Sequence, residues 1–236
     1  MNLICHFFAA ALLLALSWAL PAQADVTVAM KAIERGHYAT TERALRKLAT
    51  QGDTRAQNNL AYLYEHGLGL AQSYPDALLW YNRAAEAGLP DAQYNLATFY
   101  HYGRGVNRDH SAAFQWYAKS AQAGFTDAQY MMGEYQREGR GTAKDGALAL
   151  SWYLKAAKKG HSGAQLMAGL IYLTGEGWRS EPTKAAVWAE LARVNGEQQA
   201  PILLAQASKK IRSAEFAEAV QQAGICLQSG YRDCPE

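Results

Sequence analysis

AQNNLAYLYEHGLG (Ala56–Gly69), AQYNLATFYHYGRG (Ala92–Gly105), AQYMMGEYQREGRG (Ala128–Gly141) and AQLMAGLIYLTGEG (Ala164–Gly177) are four readings of one phrase, each starting 36 residues after the last. The same interval separates Trp80, Trp116, Trp152 and Trp188, and likewise Gly88, Gly124, Gly160 and Gly196. With Ala77, Ala113, Ala149 and Ala185, that makes four positions in register through four copies with no insertion, which define a repeat before any secondary structure is assigned. Within the first copy Ala56, Leu60, Leu63, Tyr64 and Gly67 fall on one helical face. The glycine pairs Gly67/Gly69, Gly103/Gly105, Gly139/Gly141 and Gly175/Gly177 then end that helix, because glycine enters the left-handed conformation without steric cost. A second helix opens at Ser73, Asp109 or Asp145, each able to cap it, and stops at the next single glycine.

Each copy is therefore a helical hairpin, which cannot bury its apolar face alone and must stack on its neighbours. The expected class is all-α: an α/α solenoid of stacked 36-residue hairpins, about ten to twelve helices in one array, with a helical C-terminal cap. Small residues such as Ala56, Ala77 and Ala84 let helices approach. The pairs Trp80-Tyr81, Trp116-Tyr117 and Trp152-Tyr153 are expected to fill the space between hairpins, weakening to Trp188-Ala189 at the last copy. After Gly196 the period is lost, and 199–209 and 214–227 read as capping helices, the second with Ser213 as its cap.

These residues resemble the Sel-one-like repeat (SLR) family, a relative of the tetratricopeptide repeat, most plainly in the stretch AQYNLATFYHYGRGVNRDHSAAFQWYAKSAQAGFTDAQY, 92–130. The resemblance covers 54–196 as four repeats at about 54–89, 90–125, 126–161 and 162–197, with 25–53 as a degenerate N-terminal hairpin and 198–236 as cap and tail. Two departures bear on local packing. Gln136 stands where Tyr64, Tyr100 and Tyr172 stand, and Trp178 replaces the usual aliphatic residue after the glycine pair.

Residues 1–24 read as a secretory signal. The apolar run from Phe7 to Leu20 is shorter than the roughly 20 residues a spanning helix needs. Ala22-Gln23-Ala24 supplies a small-x-small cleavage site before Asp25. Cleavage removes Cys5 and leaves Cys226 and Cys234, an even pair expected to form a disulfide in an oxidising compartment, periplasmic or extracellular. No later segment is apolar enough to insert in a membrane. With 23 Lys and Arg against 21 Asp and Glu, a net charge of +2 and scattered charges, nothing suggests nucleic acid.

Chemical motifs fare poorly. The glycine pairs follow helices and lack the Lys-Ser/Thr of a phosphate loop. His37, His66, His101, His110 and His161 form no metal-ligand motif, and no serine elbow exists, so no catalytic residue, metal or cofactor is expected. Among SLR relatives, cysteine-rich exported members are linked to β-lactam binding and hydrolysis. That makes a β-lactam- or peptidoglycan-fragment-binding protein with weak hydrolase activity the alternative, although those members carry a cysteine pair in each repeat and this chain does not.

What the resemblance implies is a scaffold or adaptor holding a protein or peptide, in envelope assembly, signalling or host contact. In related solenoids the first helix of each hairpin lines a concave groove. Its outward positions here vary between copies while the core positions repeat: Arg55, Asn59, Tyr62 and His66, then Asp91, Asn95, Thr98 and Tyr102, then Asp127, Met131, Glu134 and Glu138, then Gly163, Met167, Leu170 and Thr174. Asn59 and Asn95 offer hydrogen bonds to an extended peptide, while Tyr62, Tyr102, Met131 and Met167 offer apolar contact. The partner-binding set is Asn59, Tyr62, His66, Asn95, Thr98, Tyr102, Met131 and Glu134.

Overall fold

The computed structural model describes Lys31 and residues 38–236. The expected signal segment at 1–24 and the opening of the degenerate hairpin, including His37, lie outside the described residues. Among the described residues the chain is all-helical, with eleven helices and no strand. They are α1 (Tyr38–Thr50), α2 (Thr54–His66), α3 (Tyr74–Glu86), α4 (Pro90–Tyr102), α5 (His110–Gln122), α6 (Thr126–Glu138), α7 (Gly146–Ala157), α8 (Ser162–Thr174), α9 (Pro182–Val194), α10 (Ala200–Ser208) and α11 (Ser213–Gln228). They fall into two compact units, one up to Ala87 and one from Gly88 onward.

The first unit packs α1 on α2 and α2 on α3. Leu45 and Ala49 of α1 are buried, as are Leu60 and Leu63 of α2 and Ala77 and Tyr81 of α3. The second unit stacks three hairpins, α4–α5, α6–α7 and α8–α9, with α10 and α11 both packed on α9. Each is the α/α solenoid packing that the 36-residue register demands.

The hairpins close by the same hydrogen bonds in every copy. At the third, Gly139 is the left-handed cap of α6 (φ 74°), its N–H donating to the Tyr135 carbonyl at 2.8 Å. The chain then returns so that the N–H of Asp145 donates to the Gln136 carbonyl at 2.8 Å. Asp109 to Tyr100, Ser73 to Tyr64 and Glu181 to Tyr172 repeat that bond. Because it uses a backbone carbonyl, Gln136 can replace tyrosine without opening the hairpin. The expected caps Ser73, Asp109 and Asp145 each accept a backbone N–H at the start of the second helix. Gly141 is needed for close approach, since a side chain there would collide with the backbone of His110 and Ser111. Its bare Cα permits one hairpin's turn to rest on the preceding hairpin's second helix.

The AQ phrase also acquires a physical reason. Gln129 and Gln165 are buried, and each donates its amide to the last turn of the helix before it, to Ala121 (3.2 Å) and Ala157 (3.1 Å). Gln57 does the same to Ala49 at 3.1 Å. These side chains satisfy carbonyls that a helix end leaves orphaned, which binds successive hairpins at a point the apolar pattern does not reveal.

Two expectations need refinement. The Trp-Tyr pairs do not act alike: Tyr81, Tyr117 and Tyr153 are buried, whereas Trp116 and Trp152 are half-buried beneath Lys119 and Lys155, whose ammonium groups lie 3.8 and 3.9 Å from the ring centroids. Ser213 does not cap α11. Arg212 precedes the helix, and Glu215 reaches back to the Arg212 N–H at 2.9 Å and to its guanidinium at 2.7 Å. Cys226 and Cys234 are joined, with Cα atoms 4.8 Å apart, and the tail is further held where the Tyr231 hydroxyl meets Asn195. Among the described residues no helix is long and apolar enough to cross a membrane.

Candidate protein-binding face

The burial of Ala56, Leu60, Ala61 and Leu63 fixes which side of α2 turns outward. Arg55 and His66 are exposed, Tyr62 is 42 % exposed, and Asn59 is half-buried. The Tyr62 and His66 rings meet at 4.3 Å between centroids. Beneath them Glu65 is buried and accepts the Tyr81 hydroxyl at 2.9 Å, an attachment between the helices of the hairpin. The first unit thus presents a tyrosine–histidine pair beside an asparagine amide.

In the second unit the same positions divide between open and engaged side chains. On α4, Tyr102 is 62 % exposed and carries the Arg104 guanidinium 5.0 Å above its ring. Asn95 is half-buried, and the Thr98 hydroxyl is turned onto the Asn95 carbonyl of its own helix at 2.6 Å. On α6, Met131 is half-buried against the core formed by Ala128, Met132 and Tyr135. Glu134 is half-buried and engaged at both oxygens, one accepting the Tyr153 hydroxyl at 2.5 Å and the other the Arg137 guanidinium at 3.4 Å. Arg137 continues to Glu138 at 2.9 Å, and Arg140 closes the chain on that carboxylate. On α8, Met167 and Leu170 are half-buried against the last core, so the face grows more apolar from α4 to α8.

Burial, then the Glu134 hydrogen bond and charge, hold the Tyr153 hydroxyl well above its usual 10. Burial, then Glu134, pushes Tyr130 to about 12. Both phenols are neutral at physiological pH, so Tyr153 is a donor that fastens Glu134 and not a base. Among the described residues, no group of three or more His, Cys, Asp or Glu is gathered to hold a metal ion. The first unit exposes Tyr62 beside Asn59 and His66, and the second exposes Tyr102 on α4 and a carboxylate–guanidinium chain along α6.

Sequence reasoning missed two attachments, Tyr153 with Glu134 and Arg137, and Tyr135 with His101 and His110. The register could have flagged the second. Tyr135 occupies the position of Leu63, Phe99 and Ile171, and a hydroxyl introduced into a core position requires a partner nearby.

The Sel1 repeat profile matches residues 54–89, 90–125, 126–161 and 162–193. Among solved structures, a Sel1 repeat protein from Oxalobacter formigenes is 28 % identical with a TM-score of 0.74, over 88 % of this chain and 83 % of that one. The protective antigen c5321 of uropathogenic Escherichia coli strains, which displays an SLR fold, is 28 % identical with a TM-score of 0.50, over 84 % of this chain and 49 % of its own. The immunity protein Pa5087 of Pseudomonas aeruginosa, 19 % identical with a TM-score of 0.52, covers 91 % of this chain and 84 % of its own and shares the fold alone. No curated protein matches the chain.

Proposed function

The chain belongs to the Sel1 repeat family, and on that premise we propose that it is a non-catalytic scaffold that holds a protein or peptide on the outward face of its first-in-hairpin helices. The observation that carries this reading is Tyr102, which is 62 % exposed on a position that the core does not use. An exposed aromatic beside an arginine is the composition that concentrates binding energy in interfaces. Within the second unit Asn95, Thr98, Met131 and Glu134 accompany Tyr102 on α4 and α6, and in the first unit Tyr62, His66 and Asn59 form a patch of their own on α2.

The same reading places the protein outside the cytoplasm, in the periplasm or beyond the cell. The apolar run at 7–20, the Ala22-Gln23-Ala24 site and the joined Cys226 and Cys234 support it. Site-specific photocrosslinking in the cell tests the face. A crosslinker at Tyr102 should capture a defined protein, and one at Lys155, exposed on α7, should not. Equal capture at both positions, or none at Tyr102, removes the assignment.

A further inference from the structure

The second and third hairpins meet at a polar cluster that no other copy can form. Tyr135 of α6 is buried, and its hydroxyl lies 2.6 Å from Nδ1 of His101 at the end of α4 and 3.5 Å from Nδ1 of His110 at the start of α5. The two imidazoles are 5.4 Å apart between centroids. In the register, His101 stands where Glu65, Arg137 and Leu173 stand, and His110 where Tyr74, Gly146 and Pro182 stand. The one copy with a hydroxyl in this core position is thus the one flanked by two histidines.

We infer that the His101–Tyr135–His110 cluster is a proton-sensitive joint between the second and third hairpins, holding them while at most one imidazole is charged and loosening them when both are. A phenol has one hydrogen to donate and lone pairs to accept. With neutral rings, or with one protonated, it donates to one Nδ1 and accepts from the N–H of the other. With both protonated its hydrogen has no acceptor in the cluster, and two cations face each other across it.

The surroundings do not absorb the second charge. Arg108 before α5 and Arg140 after α6 add positive charge near His101, and Glu138, the one acidic group raising its proton affinity, is already engaged by Arg137 and Arg140. Tyr102 packs its ring against His101, and Phe114 and Tyr117 of α5 pack theirs against Tyr135, contributing no charge. The Asp109 carboxylate is turned onto the N–H groups of Ser111 and Ala112, and a cation at the N-terminus of α5 opposes the helix dipole. The same guanidinium groups oppose a divalent metal, so the proton is the ligand that fits. Burial first, then His110, Arg140 and Arg108, hold His101 below its usual 6.5. The stability it contributes is therefore present above about 6.5 and lost as the pH falls through its folded value. Gly141 rests on the His110 backbone, so displacing His110 also disturbs the turn that follows α6.

The test uses the full chain at pH 7.5 and 5.0, read by thermal unfolding and by amide exchange corrected for intrinsic rates. His101→Leu borrows the residue at 173, Tyr135→Phe the residue at 99, and His161→Asn keeps an N-cap acceptor while removing the other histidine of this unit. On acidification wild type should lose about 5 °C more in Tm than His101→Leu, and its exchange should quicken about tenfold at the end of α4 and in α6 relative to α9. His161→Asn should behave as wild type, and Tyr135→Phe should show the quickened local exchange already at pH 7.5. An equal acid loss in His101→Leu, an acceleration spread evenly over the unit, or a Tyr135→Phe variant matching wild type at both pH values would each overturn the joint.

Discussion

The third and fourth hairpins share a register and differ in what covers them. In the third, Trp152 is half-buried under Lys155, and Tyr153 turns inward to Glu134. Its ring sits over Gly133, where a Cβ would come within 2.5 Å of it. In the fourth, Leu191 takes the place of Lys155, Ala189 that of Tyr153, and Trp188 is fully buried. The glycine remains, as Gly169, but its space is filled by Leu203 of the cap, 3.0 Å from where a Cβ would stand. One backbone position therefore admits either a tyrosine from its own hairpin or a leucine from the next element. An interior repeat is tethered by polar contacts and shielded by a lysine; a terminal repeat becomes core because α10 and α11 lie on it.

That contrast predicts its largest effect at the tryptophans. Trp188→Ala should cost about 3–5 kcal/mol, the range for emptying a large aromatic site in a core. Trp152→Ala, half-exposed, should cost about 1–2 kcal/mol on the area it buries. Urea unfolding of the two variants measures the difference, and an equal loss would mean that the cap does not turn the fourth hairpin into core. Trp188 carries a further signature: its indole N–H is buried with no acceptor among the described residues, so Trp188→Phe should lose far less than the alanine variant.

The next effect concerns what holds the cap. Cys226 and Cys234 close a short loop at the end of α11, and their replacement by serine should cost about 2–3 kcal/mol by the chain-entropy estimate. That loss should fall on the terminal repeat. Trp188 should become more accessible to acrylamide quenching, while exchange in α6 and α7 stays unchanged. Loosening that reached α6 equally would show one cooperative block with no distinct terminal repeat.

The register was legible because the same residues recur every 36 positions, and the hairpin turns and the caps Ser73, Asp109 and Asp145 because each rests on residues within a few positions of one another. Ser213 misled for a local reason: serine is a common cap, but here Glu215 satisfies the Arg212 N–H and the helix begins one residue earlier than a serine cap would allow. Of the candidate face, Tyr62, His66 and Tyr102 are exposed as the register implied, whereas Asn59, Asn95, Thr98, Met131 and Glu134 are half-buried, and the engagement of each side chain was not legible. Thr98 and Glu134 share it with Tyr102, yet one is turned onto its own helix and the other is held by Tyr153. Those attachments depend on how variable positions meet in space, as with His101 and Tyr135, 34 residues apart. Periodicity reports what the copies share and is silent on what they exchange.

The smallest effect separates two accounts of the lysine shield. Lys155 is exposed, its ammonium lies 3.9 Å from the Trp152 ring centroid, and Lys119 repeats the arrangement over Trp116. A cation over an aromatic face at an exposed site contributes about 0.5–1 kcal/mol, and the four-carbon stem also covers apolar surface. Lys155→Ala removes both contributions, and Lys155→Met keeps most of the stem without the charge. The expected order is wild type, then Met, then Ala, with the Met variant recovering about half of an overall loss near 0.7 kcal/mol. If the Met variant equals wild type, the lysine is only an apolar lid, and the third and fourth hairpins differ merely in how much carbon lies over the tryptophan. If it equals the Ala variant, the charge does the shielding. An interior tryptophan would then be kept at the surface by an interaction that a cap replaces outright, which is why leucine at 191 and lysine at 155 can occupy one register position without either hairpin losing its fold.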